Sequence, residues 1–413
     1  MQVRTVTCFT DPGFPLGADV MREAARVASR VKHALEDAGY EVQSLRLALP
    51  AFAPFVQGNE KLVVALALEL EKACEELGID YATMGVSLPG DPAAVVHAIP
   101  AAIAVTSRIF ASSLVASSGS GVDMPALLAA ASAVSALSKT RPDGFDNLRF
   151  AALFNVPPGV PFLPAAYHDG GAPFVAIGVE AASVAVDALA EAASWPEAQK
   201  ALVARVEAHA ARVLQVARAG AGATRVAGID FSLAPFPDAA RSIGTAIERL
   251  SGGCIGQVST LAAVACLAET LDRARIDRTG YSGVFLPVFE DAVLAARTVE
   301  GRVGLNELLL YSSVCGTGLD TVPLPGDTDR KTLSAILLDV AALALRLDKP
   351  LSARLMPIPG KRAGDAVRFD FPYFAPSRVI AIDSPAAAGL LLSAVTLAIG
   401  PRVRLGTGLS GEP

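Results

Sequence analysis

A chain of 413 residues, 52% hydrophobic and 18% charged, is long enough for one large domain or two ordinary ones, with a large core and little charged surface. A net charge of −6 with no Lys/Arg block argues against nucleic acid as the main partner and leaves a small-molecule ligand as the expected one. Five scattered cysteines without a CxxC pair fit reduced thiols in the cytoplasm rather than disulfides or a zinc site.

The opening MQVRTVTCF has no charged stretch followed by an apolar one, so it does not read as a signal peptide. Its apolar run predicts a first strand over Val3–Cys8, followed by a helix from Ala18 to the cap at Gly39. A strand over Val42–Leu47, a helix over Glu60–Leu77 and strands over Tyr81–Leu88 and Phe110–Val115 come next. A helix opens near Pro125, then strands run over Phe150–Asn155 and Phe174–Val179. Helical periodicity covers Ala181–Ser194 and Pro196–Ala219, and a strand follows over Gly228–Leu233. Helices over Ala239–Leu250 and Thr260–Ala274 precede a strand over Gly283–Val288. The pattern then gives helix Leu305–Tyr311, strand Thr321–Leu324, helix Arg330–Leu347, and strands over Ser352–Pro357, Val367–Phe371 and Val379–Ile382.

Near-continuous apolar strands, most followed by a helix, point to an α/β fold with a parallel sheet covered on both faces. So many strands exceed an ordinary open sheet and suggest a closed barrel or two linked half-sheets. Sites in such folds lie at the carboxyl ends of strands. No repeat or long linker divides the chain, so one compact domain over 1–413 is expected. Ser384–Pro401 carries no charge, but it is rich in small residues and barely reaches spanning length. A helix over 385–400, buried or at a subunit interface, is expected there rather than a membrane span. The low charge favours a homo-oligomer.

Cys315 ends the run Leu308–Val314 and is followed by Gly316, Thr317 and Gly318, a loop able to turn tightly around a ligand. It reads either as a nucleophile or acid, or as a small buried residue. Glu290 and Asp291 close an apolar strand, and neighbours point to different sides, so at most one of them faces a site. Either could bind a cation or act as a base; both could instead open the helix Ala292–Val299. Asp320 follows the cysteine loop closely. His168, beside Asp169 in PAAYHDGG, is the best imidazole for proton transfer, and Asn155 could supply an amide near it. Asp230 is a charge inside the apolar GIDFSLAP and needs a partner, for which Arg241 is a candidate, unless it lines the site. Ser118 and Ser120 in SSGSGVD precede a helix start that could hold an anion, although a plain turn explains them too. Lys361 in IPGKRAGD could meet a carboxylate or phosphate, or be an exposed turn lysine.

These motifs resemble uncharacterised protein family 0210, also called domain of unknown function 711. The resemblance runs through VRTVTCF, SSGSGVDM, FNVPPGVPFLPAAYHDGG and FVAIGV. It is strongest at GIDFSLAPFPDAARSIGTAIE, YSGVFLPVFED and VCGTGLDTVPLPGDT, and extends to MPIPGKRAGDAVRFD, so it covers roughly residues 1–375. It implies a fold similar to the pyruvate formate-lyase type: a ten-stranded barrel of two parallel half-sheets surrounded by helices, with the 315 loop reaching inside. Fold does not carry function. RVAGI at 225–229 and RTGY at 278–281 lie mid-chain and supply no glycyl-radical segment. The chain also departs from the family pattern. Cys254 in GGCIGQ stands at a family histidine, and Glu180, Ala181 and Ala182 replace a Ser-Gly-Pro turn.

The expectation is therefore a cytoplasmic, non-radical enzyme on a small polar metabolite. Cys315, His168, Asp230, Glu290 and Asp320 would line one pocket, with Asn155, Ser118, Ser120, Asp291 and Lys361 holding substrate. The carboxylates could hold a divalent cation, although their spacing specifies none. The alternatives are a metabolite-binding or regulatory protein without chemistry, and a mainly structural oligomer.

Overall fold

The computed structural model describes residues 1–383 and 389–401. Its first seven strands are β1 (Gln2–Phe9), β2 (Leu45–Ala48), β3 (Tyr81–Ser87), β4 (Ile109–Ser117), β5 (Gly121–Asp123), β6 (Phe150–Phe154) and β7 (Phe174–Glu180). The others are β8 (Arg225–Asp230), β9 (Gly318–Pro325), β10 (Leu351–Ile358), β11 (Ala366–Val367), β12 (Ser377–Arg378) and β13 (Thr396–Leu397). An eleven-stranded sheet follows the order β8-β7-β1-β2-β3-β4-β6-β10-β9, with β5 and β13 attached beside β4. β11 and β12 form a separate ribbon.

β1, β2, β3, β4 and β6 are parallel to one another. Antiparallel junctions β1/β7 and β6/β10 flank this block, and beyond them lie the parallel pairs β7–β8 and β10–β9. The strands read as apolar runs because helices cover the sheet: β7 is buried along its whole length and β4 everywhere but its last residue. Helix Ala18–Asp37 packs on helix Trp195–Ala221, and helix Met124–Leu137 on helix Arg330–Leu347. A Cβ on Gly220 would stand 3.0 Å from the Val31 Cα, so glycine is what lets the first pair approach so closely. Asn59, Asp123, Ser242, Asp291 and Asp329 each cap a helix by accepting a backbone N–H.

Two register slips shape the interior. One adds Arg4 to β1 between the pairs Val3–Val179 and Thr5–Gly178. The other sets Asp320 and Thr321 of β9 against Arg354 alone, with Thr321 at φ +46°. Such bulges re-aim side chains that a regular strand would send to the other face.

Several expectations are corrected. The ladder of named strands is open between β8 and β9, so these strands alone give a large sheet rather than a closed barrel. The run Gly283–Val288 lies between these edges but makes isolated bridges, Leu233–Val284 and Pro287–Asp320, rather than a continuous strand. The expected helix 385–400 is not formed where it is described: Leu390–Ser393 is a single 3₁₀ turn and Thr396–Leu397 pairs with β5. Leu390 and Val395 are largely exposed, so this segment lacks the apolar partner surface a helix would need, and β5 offers hydrogen bonds instead. Residues 384–388 lie outside the described part. The helix expected over Ala239–Leu250 breaks at Ser242, whose hydroxyl caps Ile243–Ser251. No described helix is long and apolar enough to cross a membrane.

Candidate functional site

A cavity of about 460 Å³ lies inside the sheet, lined by side chains from β1, β2, β3, β4, β6, β9 and β10 and by the loops at 281–290 and 371–373. It meets the parallel block near the amino ends of its strands, at Arg4, Arg46, Tyr81 and Phe110, not at the expected carboxyl ends.

A chain of charges crosses it. Arg4 pairs with one oxygen of Glu290. Arg354 Nη2 donates to the other at 2.8 Å, and its Nε donates to Asp320 Oδ1 at 2.5 Å. All four side chains are largely buried. The bulges explain the contacts, since Arg4 and Asp320 are the residues the register slips release. The second Asp320 oxygen has no described protein partner.

Burial alone would raise the Glu290 carboxyl, but Arg4 and Arg354 hold it below the ordinary glutamate range. Burial raises Asp320 and the nearby Glu290 charge adds to it, with Arg354 only partly opposing. Two carboxylates on one arginine are thus driven apart, Glu290 toward the ionised form and Asp320 toward the protonated one.

Arg46 adds a further guanidinium to the lining. Its Nε donates to Ser44 Oγ at 2.9 Å and its guanidinium lies 5.9 Å from the Tyr81 ring centre. Burial, together with repulsion from Arg4, lowers its pKa to about 9. Aromatic rings also line the cavity: Tyr81 stands edge-on to Phe110 at 5.7 Å, and Phe285 meets Phe162 and Tyr281 at 5.3 and 5.8 Å.

Of the residues expected to form one pocket, only Glu290 and Asp320 line this cavity. Asp291 turns away and caps helix Ala292–Val299 through Val293 and Leu294 N–H, while accepting from Ser242 Oγ at 2.7 Å. Asp230 is fully buried beneath the lining, where it accepts from Ser232 Oγ and from the Tyr281 and Ser282 N–H groups. Burial raises its carboxyl to about 6, against those hydrogen bonds. It holds the turn that carries Tyr281, and Arg241 is not its partner: Arg241 pairs with Asp238 and lies 3.9 Å from Glu180.

The remaining candidates sit elsewhere. Cys315 is buried on the loop before β9, where its sulfur accepts Gly318 N–H at 3.4 Å and lines a smaller concavity with Lys349. Lys349 is itself spent on the Ser312, Ser313 and Cys315 carbonyls. The His168 ring stacks on Phe174 at 5.4 Å and its Nδ1 accepts Gly170 N–H, so it shapes its own loop. Asn155 accepts Ser118 N–H at 2.6 Å, Ser118 Oγ donates to Asp348, and Ser120 bonds Ser117, closing a turn of their own. Lys361 is an exposed turn residue. Cys254 is half-buried beside Gln257, and Glu180 accepts from Gln43 Nε2 at 3.1 Å. Among the described residues no three His, Cys, Asp or Glu side chains gather as metal ligands.

Sequence reasoning missed Arg4, Arg46 and Arg354. The signal was present, since each is a single charge inside an apolar strand, in VRTV, LRLA and SARLM. The argument applied to Asp230, that a charge in a buried strand needs a partner, applies equally to them.

Residues 1–373 match the family described as Uncharacterised ACR (DUF711), and the chain belongs to that family. Its relatives include the UPF0210 protein of Pyrobaculum islandicum, 32% identical over 371 residues, which cover 82% of this chain and 77% of the relative. The UPF0210 protein of Methanopyrus kandleri is 31% identical over 387 residues, 85% of this chain and 83% of its own. That of Oleidesulfovibrio alaskensis is 30% identical over 404 residues, 89% and 88% of the two chains. The family designation names no reaction, so a functional reading has to come from the cavity.

Proposed function

We propose that this chain is a non-radical enzyme that carries out proton transfer on a small polar metabolite inside the cavity. The observation that carries this reading is the Arg4–Glu290–Arg354–Asp320 chain lining an interior space. Glu290 has an arginine on each oxygen and serves as a fixed negative charge that orients both. Asp320 has one oxygen on Arg354 and the other unclaimed, the arrangement a general acid or base needs to exchange a proton with a bound substrate. Arg354 then stabilises Asp320 when it is the carboxylate. The cysteine-nucleophile route is the weaker one, because Cys315 lies outside this cavity.

A second reading, metabolite binding without catalysis, draws support from the lining, which contains no histidine, cysteine or lysine among the described residues. A turnover screen with small metabolites on the wild type and Asp320→Asn separates the two. Loss of turnover with retained binding supports the enzyme, and binding with no product from either protein supports the second reading.

As to the fold, we read Gly283–Val288 as the strand that closes a barrel between β8 and β9, as in the pyruvate formate-lyase type, supported by its bridges to Leu233, just past β8, and to Asp320 of β9. We also read the protein as a cytoplasmic homo-oligomer. The low charged fraction of the chain is what supports this reading, and light scattering after gel filtration tests it.

A further inference from the structure

The charged groups of the cavity are unevenly paired. Five arginines and four carboxylates line it. Arg149 is paired with Asp146 at 2.6 Å, and Arg4 and Arg354 share Glu290 and Asp320. Arg141 pairs with Asp143 on the protein surface, and Asp80 accepts the Leu45 N–H at 2.8 Å. Arg46 alone has no ion pair with a described residue, and its one hydrogen bond, to Ser44, uses Nε. Both terminal amino groups of its guanidinium thus stay unclaimed in a cavity wall, in the fork geometry that matches two oxygens of one anion.

The surroundings limit that anion. Arg46 pairs in register with Tyr81 across β2 and β3, and Tyr81 meets Phe110 edge-on, so an aromatic wall begins where the guanidinium ends. Phe162 and Phe285 add a second aromatic pair to the lining. A free phosphate or a bare short acid would leave this apolar surface unused. Among the lining arginines only Arg46 lacks an ion-pair partner among the described residues, and one free guanidinium fork matches the two oxygens of a single carboxylate.

We propose that the cavity takes an organic monocarboxylate with an apolar, preferably aromatic, body, its carboxylate seated on Arg46 and its body between the Tyr81–Phe110 and Phe162–Phe285 walls. This rests on the reading of the cavity as the functional site and names the class of substrate it would take. Arg46 is thereby a binding residue for the carboxylate, while Asp320 is left to act on the other end of the molecule.

The test is calorimetric titration of the full chain with benzoate and phenylacetate as probes, against benzamide, acetate and phenylphosphate. The aromatic carboxylates are expected to bind, benzamide and acetate to bind about tenfold more weakly or not at all, and phenylphosphate to bind no better than benzoate. Arg46→Gln should weaken benzoate about tenfold or more, with Arg46→Lys recovering part of it. Equal binding of benzamide, tighter binding of phenylphosphate, or unchanged benzoate affinity in Arg46→Gln overturns the proposal. The comparison among probes on the wild type decides it even if the variant fails to fold. Failure of this inference is separable from failure of the proton-transfer reading. Arg46-dependent benzoate binding together with undiminished turnover in Asp320→Asn overturns only the chemistry. Turnover of a neutral or cationic substrate that Asp320→Asn abolishes overturns only the carboxylate.

Discussion

Glu290→Gln removes the negative charge held between Arg4 and Arg354. Removing one partner of a buried ion pair costs about 3–5 kcal/mol, because the surviving charge stays desolvated. Here the Arg4 and Arg354 side chains keep 18% and 13% of their exposure, and Arg354 retains Asp320, so the lower end applies, about 3 kcal/mol at pH 7. For a chain of 413 residues that is a fall in Tm of roughly 3 to 4 °C, and a leftward shift of the urea transition with unchanged slope. The sign with pH follows from the depressed Glu290 carboxyl. Its stabilisation is complete above the ordinary glutamate pKa and is lost as pH falls through the lower folded value. The gap between wild type and variant should therefore be widest near neutrality and close in acid. Arg4→Met combined with Glu290→Gln should cost less than the two changes added, since the orphaned Arg4 charge is gone. A variant within about 0.5 kcal/mol of wild type at pH 7 would refute the reasoning, because it would mean the network is solvated as a surface pair is.

Asp230→Asn should destabilise by about 1–3 kcal/mol although it deletes a buried charge, because an amide donor would face the Tyr281 or Ser282 N–H; urea unfolding checks this. In the wild type the raised Asp230 carboxyl contributes stability below the ordinary aspartate pKa that is lost as pH rises through about 6, and Asp230→Asn should lack that component. Gly283→Ala should unfold or grossly weaken the 281–290 region, since its Cβ would sit 2.5 Å from the Gly316 Cα; unaltered melting would contradict that contact. Titration of native protein with a thiol reagent should find Cys254 and Cys266 fast and Cys8, Cys74 and Cys315 slow, and rapid modification of Cys315 would revive it as a reactive group.

Much of the framework was legible because it is local. Apolar runs located β1, β3, β4, β6 and β7, and Gly78 marks the end of the helix Glu60–Leu77. The split of Glu290 from Asp291 followed from the alternation of neighbouring side chains. What the sequence hid is non-local. Arg4 and Glu290 meet across 286 positions, and nothing in either segment names the other. The bulges at Arg4 and Asp320 arise from how two strands pair, so no period in a single strand reveals them. Cys315 and His168 drew notice for their chemistry, yet burial on separate loops keeps both out of the cavity. The apolar composition of 385–400 suggested a helix, but over residues 389–400 a turn and a strand beside β5 form instead.

The central claim is that Glu290 and Asp320, sharing Arg354, hold different protonation states inside one cavity. Carboxyl-carbon NMR titration of selectively labelled protein tests it, with Glu290→Gln and Asp320→Asn assigning the signals. The account predicts a glutamate midpoint below the ordinary range and an aspartate midpoint above it, the latter falling when Glu290→Gln removes the neighbouring charge. Two ordinary midpoints, or an Asp320 midpoint indifferent to Glu290, would contradict it.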